Sequence, residues 1–345
     1  MTHVRILDCT LRDGGYAVDS QFGDSVIRKM IHGLIDARVD VVECGFLQDD
    51  PHISGSTKFN HAAQLREYLP EERGNTSLVL LADYSRYCIS QLEPYDGSSI
   101  HGVRACFFKH EFAESREGVL AFCRQIMVKG YDLYVQPVDA LSYNEAEWCD
   151  LIYQVNLLKP KAFSIVDTFG SMYSSDLERI FKLSHQVLTP EIHIGFHSHN
   201  NLQLSFSLAL ELIRLSQLSE REIIIDATVF GMGRGAGNTN IELLMHYLNQ
   251  HYGKDYDLDI TCDLYDNYIS PLRALHVWGY SMAHFLAGAY SAHTNNISHL
   301  LQKNNINSKT IHTVLSAISP DLRKRYDYEK LDQAYADYQC RISRE

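Results

Sequence analysis

Two short stretches carry side chains that could act together. His197 and His199 sit two apart in IHIGFHSH (192–199), and an extended chain points residues i and i+2 to one side, so the two imidazoles share a face. Arg12 and Asp13 follow the apolar run VRILDCT near the start of the chain. Two imidazoles and one carboxylate form a facial set that suits a divalent cation and leaves positions open for substrate oxygens. Asp13 is the carboxylate that would complete it, provided both stretches end at the same rim. Taken alone, the HxH pattern reads equally as two hydrogen-bonded histidines near a helix start. Glu43 lies in a neighbouring apolar run, VDVVECGF (39–46). A guanidinium held by a carboxylate can aim its free N–H groups at a developing oxyanion; the alternative for Arg12 and Glu43 is a pair that only closes the sheet.

Positioning these groups requires strands that end together. Eight short, β-branched apolar runs recur over the first 250 or so residues: 4–10, 39–46, 77–83, 101–108, 131–138, 162–169, 192–199 and 222–230. Their near-continuous hydrophobicity suits parallel strands covered by other elements. Amphipathic stretches of helical period lie between them, such as DSVIRKMIHGLIDARV and SDLERIFKLSHQVL. The pattern predicts an α/β fold, a TIM (β/α)8 barrel over residues 1–252, with a C-terminal helical extension over 253–345. A doubly wound open sheet is the alternative, but its Gly-rich phosphate loop is missing after the first strand. Barrel chemistry sits where strands end. Those ends carry Arg12 and Asp13, Glu43, Lys109 with His110, Gln136, Asp167 with Thr168, His197 with His199, and the loop GMGRGAGN (231–238).

That loop has four glycines in seven residues and three readings: a backbone nest for phosphate, a mobile lid, or a turn forced into positive φ. It lacks the GK[ST] of a nucleotide loop, which favours the lid over the cradle. The loop QDDPHISGSTKFN (48–60) offers His52, Ser56 and Lys58 to a hydroxylated or phosphorylated acceptor, or is simply a solvated loop. GAYSAHTNNISHL (288–300) places Tyr290, His293 and Asn295 in the extension, which could reach back over the barrel mouth.

Composition narrows the classes. The 345 residues are 45% hydrophobic and 21% charged, enough for a sizeable globular core. A net charge of −12 without any basic run argues against non-specific nucleic-acid binding, and no nucleic-acid partner is expected. No apolar run approaches the roughly 20 residues of a membrane span. The N-terminus has no signal-peptide pattern, and the eight cysteines form no CxxC pair. A cytoplasmic protein with reduced, mostly buried thiols is expected, without membrane association. Apolar helices such as YSMAHFLAGAY could bury a homodimer contact.

Together, LDCTLRDGG, VECGF, HSHNN and GMGRGAGNTNIE resemble the metal-dependent lyases and aldolases that share a DRE motif on a TIM barrel (DRE-TIM metallolyases). The likeness spans residues 4–245 in motif order and is nearest to the 4-hydroxy-2-oxovalerate aldolase side, through VDTFGSM and the LRDGGY start. It implies Asp13, His197 and His199 as metal ligands, with Asn238 as a further one. Arg12 would stabilise the enolate, Glu43 would hold Arg12, and Thr168 would lie near the substrate carboxylate, with Lys109 a further substrate-binding candidate. The implied ion is Mn2+ or Mg2+, with Co2+ and Zn2+ as further candidates. The implied substrates are a 2-oxo acid and an aldehyde, joined or parted through a pyruvate-type enolate. A dehydrogenase receiving the aldehyde is a partner the family suggests, although no residue pattern marks its interface. The alternatives are a Claisen-type acyl-CoA synthase or a lyase of the HMG-CoA type, and a catalytically silent barrel used for binding. Well-known aldolases of this type place a histidine base at the position of Tyr16. The tyrosine leaves three readings open: an acid or base tuned by the metal, a base supplied instead by His110 or a metal-bound water, or a different aldehyde packed against Tyr16.

Overall fold

A computed structural model of the chain describes residues 3–217, 220–304 and 306–342. Eight parallel strands form the centre: β1 (Val4–Asp8), β2 (Val41–Leu47), β3 (Ser77–Asp83), β4 (Gly102–Phe107), β5 (Asp132–Pro137), β6 (Ala162–Asp167), β7 (His193–Ser198) and β8 (Ile223–Ala227). β1 pairs with β8 from Val4↔Ile223 to Asp8↔Ala227 and with β2 at Leu7↔Val41, which closes the barrel. All eight expected runs become these strands.

Strand alternation explains what fills the barrel. One face of each strand (Ile6, Val42, Leu78, Val103, Leu133, Phe163, Ile194, Ile225) packs into the large core beneath the helices. The other face begins with an apolar layer of Leu7, Val41, Val79, Tyr134, Ala162 and Ile224. Two residues further along, the same inward face carries Glu43, Arg104, Gln136 and Asp226, all buried. The polar layer thus sits on an apolar floor, one step from the C-terminal rim.

The helical complement is less regular than the alternation predicts. Helices follow β1 and β4 to β8, but the β2–β3 and β3–β4 connections carry only the 3-10 turns Ala62–Tyr68 and Ile89–Gln91. The β2–β3 segment instead adds a two-residue strand, Lys58–Phe59, to the end of β2. Gly45 makes this docking possible. Its φ is +146°, and a Cβ there would lie 2.0 Å from the Thr57 carbonyl oxygen. The eight cysteines are all free; Cys9, Cys44 and Cys123 are buried, whereas Cys88, Cys262 and Cys340 are exposed, more than expected.

Gly253, left-handed, ends the helix Ile241–Tyr252 at the expected start of the extension. Packing nevertheless continues the barrel core through Leu264, Ile269 and Trp278. A separate helical core, with Leu286, Ile297, Leu300, Ile311, Val314 and Leu331, begins only at Ala283. These last helices dock on the C-terminal face of the barrel: the Ser171 hydroxyl donates to Gly288 O at 2.8 Å, and Lys324 Nζ pairs with Asp139 Oδ2 at 2.6 Å. Among the described residues no helix is long and apolar enough to cross a membrane.

Candidate active site

A cavity of about 400 Å3 opens at the C-terminal rim, walled by strand ends and roofed in part by the extension. Arg12, Asp13, Tyr16, Thr168, His197 and His199 all line it. At its floor Asp13 faces both imidazoles. Its Oδ1 is 3.9 Å from His197 Nε2 and its Oδ2 is 3.8 Å from His199 Nε2, and one donor atom from each residue lies within 4.8 Å of the others. The HxH pair and the β1 end therefore meet across the barrel mouth.

Charge is organised around that floor as a closed ring. Arg12 Nη1 donates to Asp13 at 2.5 Å and Nε donates to Glu43 Oε2 at 2.6 Å. Arg104 Nη1 reaches the same Glu43 oxygen at 2.9 Å, and Nη2 donates to Asp226 Oδ2 at 2.5 Å. Asp226 Oδ2 lies 3.0 Å from His197 Nδ1. Asp226 can only accept, so Nδ1 carries a proton there and Nε2 is the ring nitrogen that faces Asp13. Every member is at most 6% exposed, where breaking one pair costs about 3–5 kcal/mol. Arg104 and Asp226 were not among the expected site residues; a lone charge inside HGVRACFF and EIIIDATVF is the signal that could have found them.

The protonation states follow. Burial pushes the Asp13 carboxyl up, but Arg12, His199, His197 and Arg234 together outweigh it and hold it well below the usual range. Burial, against Asp13, pushes His199 down to about 3, so its imidazole is neutral and free to ligate. Burial also raises the Tyr16 phenol, only partly offset by Arg234 and Arg12. Tyr16 therefore keeps its proton at neutral pH and is a donor, not a base.

Asn238 closes the fourth side. Its side-chain amide donates to Asp13 Oδ2 at 2.8 Å and to Met232 O at 3.0 Å, while its buried Oδ1 has no hydrogen-bond partner. The glycine loop that delivers it is tied by backbone hydrogen bonds. Asn238 N donates to Gly231 O at 3.1 Å, and Asn200 N donates to Gly237 O at 2.8 Å. At Gly237, with φ +84°, a Cβ would fall 1.9 Å from the Gly231 oxygen, so the positive-φ reading accounts for this glycine.

Two expected residues do not reach the cavity. Lys109 and His110 begin a helix, Lys109–Glu114, immediately after β4, and this turns them away. Lys109 Nζ is engaged by Glu147 at 2.6 Å and by Ser142 O at 2.8 Å. His110 is exposed, with its ring 5.6 Å from that of Phe108. Neither lines the cavity, so neither is placed there to act as base or substrate ligand. Thr168 lines the wall and accepts from Asp139 N at 2.8 Å. From the loops and the extension, Lys58, Arg86, Arg234, His293, Asn295 and Tyr326 complete the mouth. His52 is stacked on Phe59 instead, and Tyr290 is bonded to His312.

Known proteins bear on this arrangement. A family model described as HMGL-like matches residues 97–266. The chain is 26% identical over 248 residues to an oxaloacetate decarboxylase of Mycobacterium tuberculosis, covering 71% of this chain and 70% of that protein. It is 29% identical over 247 residues to 4-hydroxy-2-oxovalerate aldolase 2 of Salinispora arenicola, covering 70% and 67%. Among solved structures, the N-terminal domain of a putative aldolase from Bacteroides vulgatus superposes with a TM-score of 0.72 at 21% identity, covering 87% of this chain and 97% of that one. The HMG-CoA lyase of Brucella melitensis superposes with a TM-score of 0.61 at 15% identity, covering 79% and 100%. At these identities the two structures speak for the fold alone.

Proposed function

Since this chain belongs to the HMGL-like (DRE-TIM) family and is a carbon–carbon lyase, we propose that it is a divalent-metal-dependent aldolase that forms or cleaves a 4-hydroxy-2-oxo acid through a pyruvate-type enolate. The observation that carries this reading is the convergence of Asp13, His197 and His199 on one point at the cavity floor. One ligand atom from each lies within 4.8 Å of the others, wider than the roughly 3 Å between adjacent ligands of an ion held at about 2.1 Å, so a bound ion would draw the three inward. The partnerless Oδ1 of Asn238 supplies a further buried acceptor that a cation would satisfy. Ligand hardness favours Mn2+ or Mg2+.

A divalent ion bound there supplies Lewis acidity towards the oxygens of a 2-oxo acid. The chain does the rest. Arg12, held by Glu43 and Asp13, keeps a fixed positive charge beside the developing enolate and needs no reorganisation as charge builds. Asp226 fixes the His197 tautomer. Thr168 stands on the wall beside Val166 and Phe169, where the substrate carboxylate would be placed. Tyr16 holds its proton and donates a hydrogen bond to the aldehyde oxygen or 4-hydroxyl, which suits the reading in which the aldehyde packs against it. With His110 outside the cavity, the acceptor for the 4-hydroxyl proton would be a water held at the ion site.

The test is α-proton exchange of pyruvate in deuterium oxide, followed by NMR. Exchange with Mn2+, Mg2+ or Co2+ is expected; its absence with all three would sink the pyruvate-enolate reading. Likeness to an oxaloacetate decarboxylase gives a second reading, since loss of carbon dioxide from oxaloacetate leaves the same enolate. Decarboxylation of oxaloacetate without turnover of any 4-hydroxy-2-oxo acid would favour it.

A further inference from the structure

The cavity has more positive charge at its mouth than a 2-oxo acid needs. On the floor the Arg12 guanidinium is already engaged by Glu43 and Asp13. Lys58, Arg86 and Arg234 line the outer wall in addition. Among the described residues neither the Lys58 ammonium nor the Arg234 guanidinium has a hydrogen-bond or ion-pair partner. Arg234 lies over the Tyr16 ring, its Cζ 3.9 Å from the centroid, an arrangement that holds the guanidinium plane and leaves its N–H edge free. The loop beneath it is fixed by Gly237 N donating to Arg234 O and by Ala236 N donating to Asn201 Oδ1. Arg86 is only loosely held, 3.6 Å from Asp83 and 3.5 Å from the Tyr326 hydroxyl.

Of the wall's outer carboxylates, Asp83 lies 3.6 Å from Arg86 and accepts from Ser85 through Oδ1, and Asp19 stands exposed at the rim; among the described residues neither pairs with Lys58 or Arg234. In a chain whose net charge is −12, free cations gathered at one mouth oppose the overall field and mark what enters there.

We infer that the aldehyde component carries an anionic group of its own, a phosphate or carboxylate, taken by Arg234 and Lys58 with Arg86 at the rim. The inference rests on the aldolase reading and adds the class of its second substrate. It gives Tyr16 a second task, as the platform that holds Arg234 flat against the wall. A cavity of about 400 Å3 accommodates a 2-oxo acid together with a short anionic aldehyde.

The experiment compares matched aldehydes with the Mn2+-loaded full chain and pyruvate: glyceraldehyde 3-phosphate against glyceraldehyde, and succinate semialdehyde against butanal. One anionic member is expected to exceed its neutral partner by about 100-fold in kcat/KM, and the pair that shows it distinguishes phosphate from carboxylate. In Arg234→Gln that ratio falls by about tenfold or more, with Arg234→Lys in between. A ratio measured on one variant is blind to partial loss of folded enzyme. Ratios near one in both pairs, from enzyme that exchanges pyruvate protons, overturn the anion site and leave the aldolase reading standing. If exchange or aldol turnover is absent, calorimetric titration of inorganic phosphate and of succinate decides the anion site independently. Binding weakened tenfold or more in Arg234→Gln supports it; equal binding, or none of either anion to the wild type, overturns it.

Discussion

Arg12, Asp13, Glu43, Arg104 and Asp226 sit on or just beyond barrel strands, nearly sealed from water and bonded to one another. Lys58, Arg86, Arg234 and His293 line the same cavity from loops and from the C-terminal helices, half-buried or exposed, with few polar partners. The first group is over-determined: each charge is fixed by the next, as a preorganised ion site requires. The second is under-determined, with donors left free for something that arrives. The contrast assigns the shared chemistry to the floor and the choice of substrate to the mouth.

Removing a ligand at the floor should have the largest effect. Asp13→Ala or His197→Ala is expected to lower metal-dependent pyruvate exchange by about a thousand-fold or more, read by NMR in deuterium oxide. A rate surviving in either variant removes the metal assignment.

Asp226→Asn probes the ring one bond further out. Asn can still accept from His197, but the charge facing Arg104 is lost. Mn2+ affinity should fall about 10- to 100-fold in a direct titration. A fall in melting temperature with unchanged affinity would reduce Asp226 to a structural partner of Arg104.

The floor was also the part legible in the sequence. HxH spacing, an Arg-Asp pair and a Glu at neighbouring strand ends locate it because strand periodicity is local. Continuous apolar runs likewise marked all eight strands. Arg104 and Asp226 lie within their strands as Glu43 does, and only the closed barrel brings strands so distant in sequence together. Lys109 and His110 lie outside the cavity for a local reason: a helix starts directly after the strand and turns both outward. His293 was visible as a candidate, but its place at the cavity depends on how a separate core docks, which no spacing in the chain encodes. Tyr326, which touches Arg86, gave no signal at all.

Tyr16 stands where the two regions meet, edge-on to Phe46 with ring centroids 5.3 Å apart and face-on to Arg234. Tyr16→Phe keeps the platform and removes the donor. Aldol cleavage is expected to fall about tenfold more than pyruvate exchange does. Equal losses would make the hydroxyl irrelevant to the aldehyde.

At the mouth, effects should be smaller and should depend on pH. Burial, reinforced by Arg234, His199 and Arg86, pushes His293 down to about 3 in the fold. The unfolded chain protonates this group near 6.5, so unfolding takes up a proton once pH drops below that value. The stability contributed by neutral His293 is full above pH 6.5 and is lost progressively as pH falls towards 3. His293→Gln should therefore flatten the acid limb of melting temperature against pH between 6.5 and 4. An unchanged slope would place the titration elsewhere.

The smallest effect expected is at Lys324, and it asks whether the mouth is assembled by docking. Lys324 pairs with Asp139 at 2.6 Å and lies 5.7 Å from the Phe169 ring centroid, tying the helix Pro320–Lys324 to the loops after β5 and β6. The lysine side chain is 28% exposed and the aspartate 13%, so the pair is worth about 0.5–1 kcal/mol. Lys324→Ala should lower the melting temperature by only a few degrees. Hydrogen exchange should rise in residues 294–342 while the barrel strands keep their protection, because the two cores are separate and only one loses a tie. Metal affinity should not move, since none of the floor contacts passes through the extension. Faster exchange spreading equally into β1 and β7 would show floor and mouth to be one cooperative unit, and the division of labour between them would fail with it.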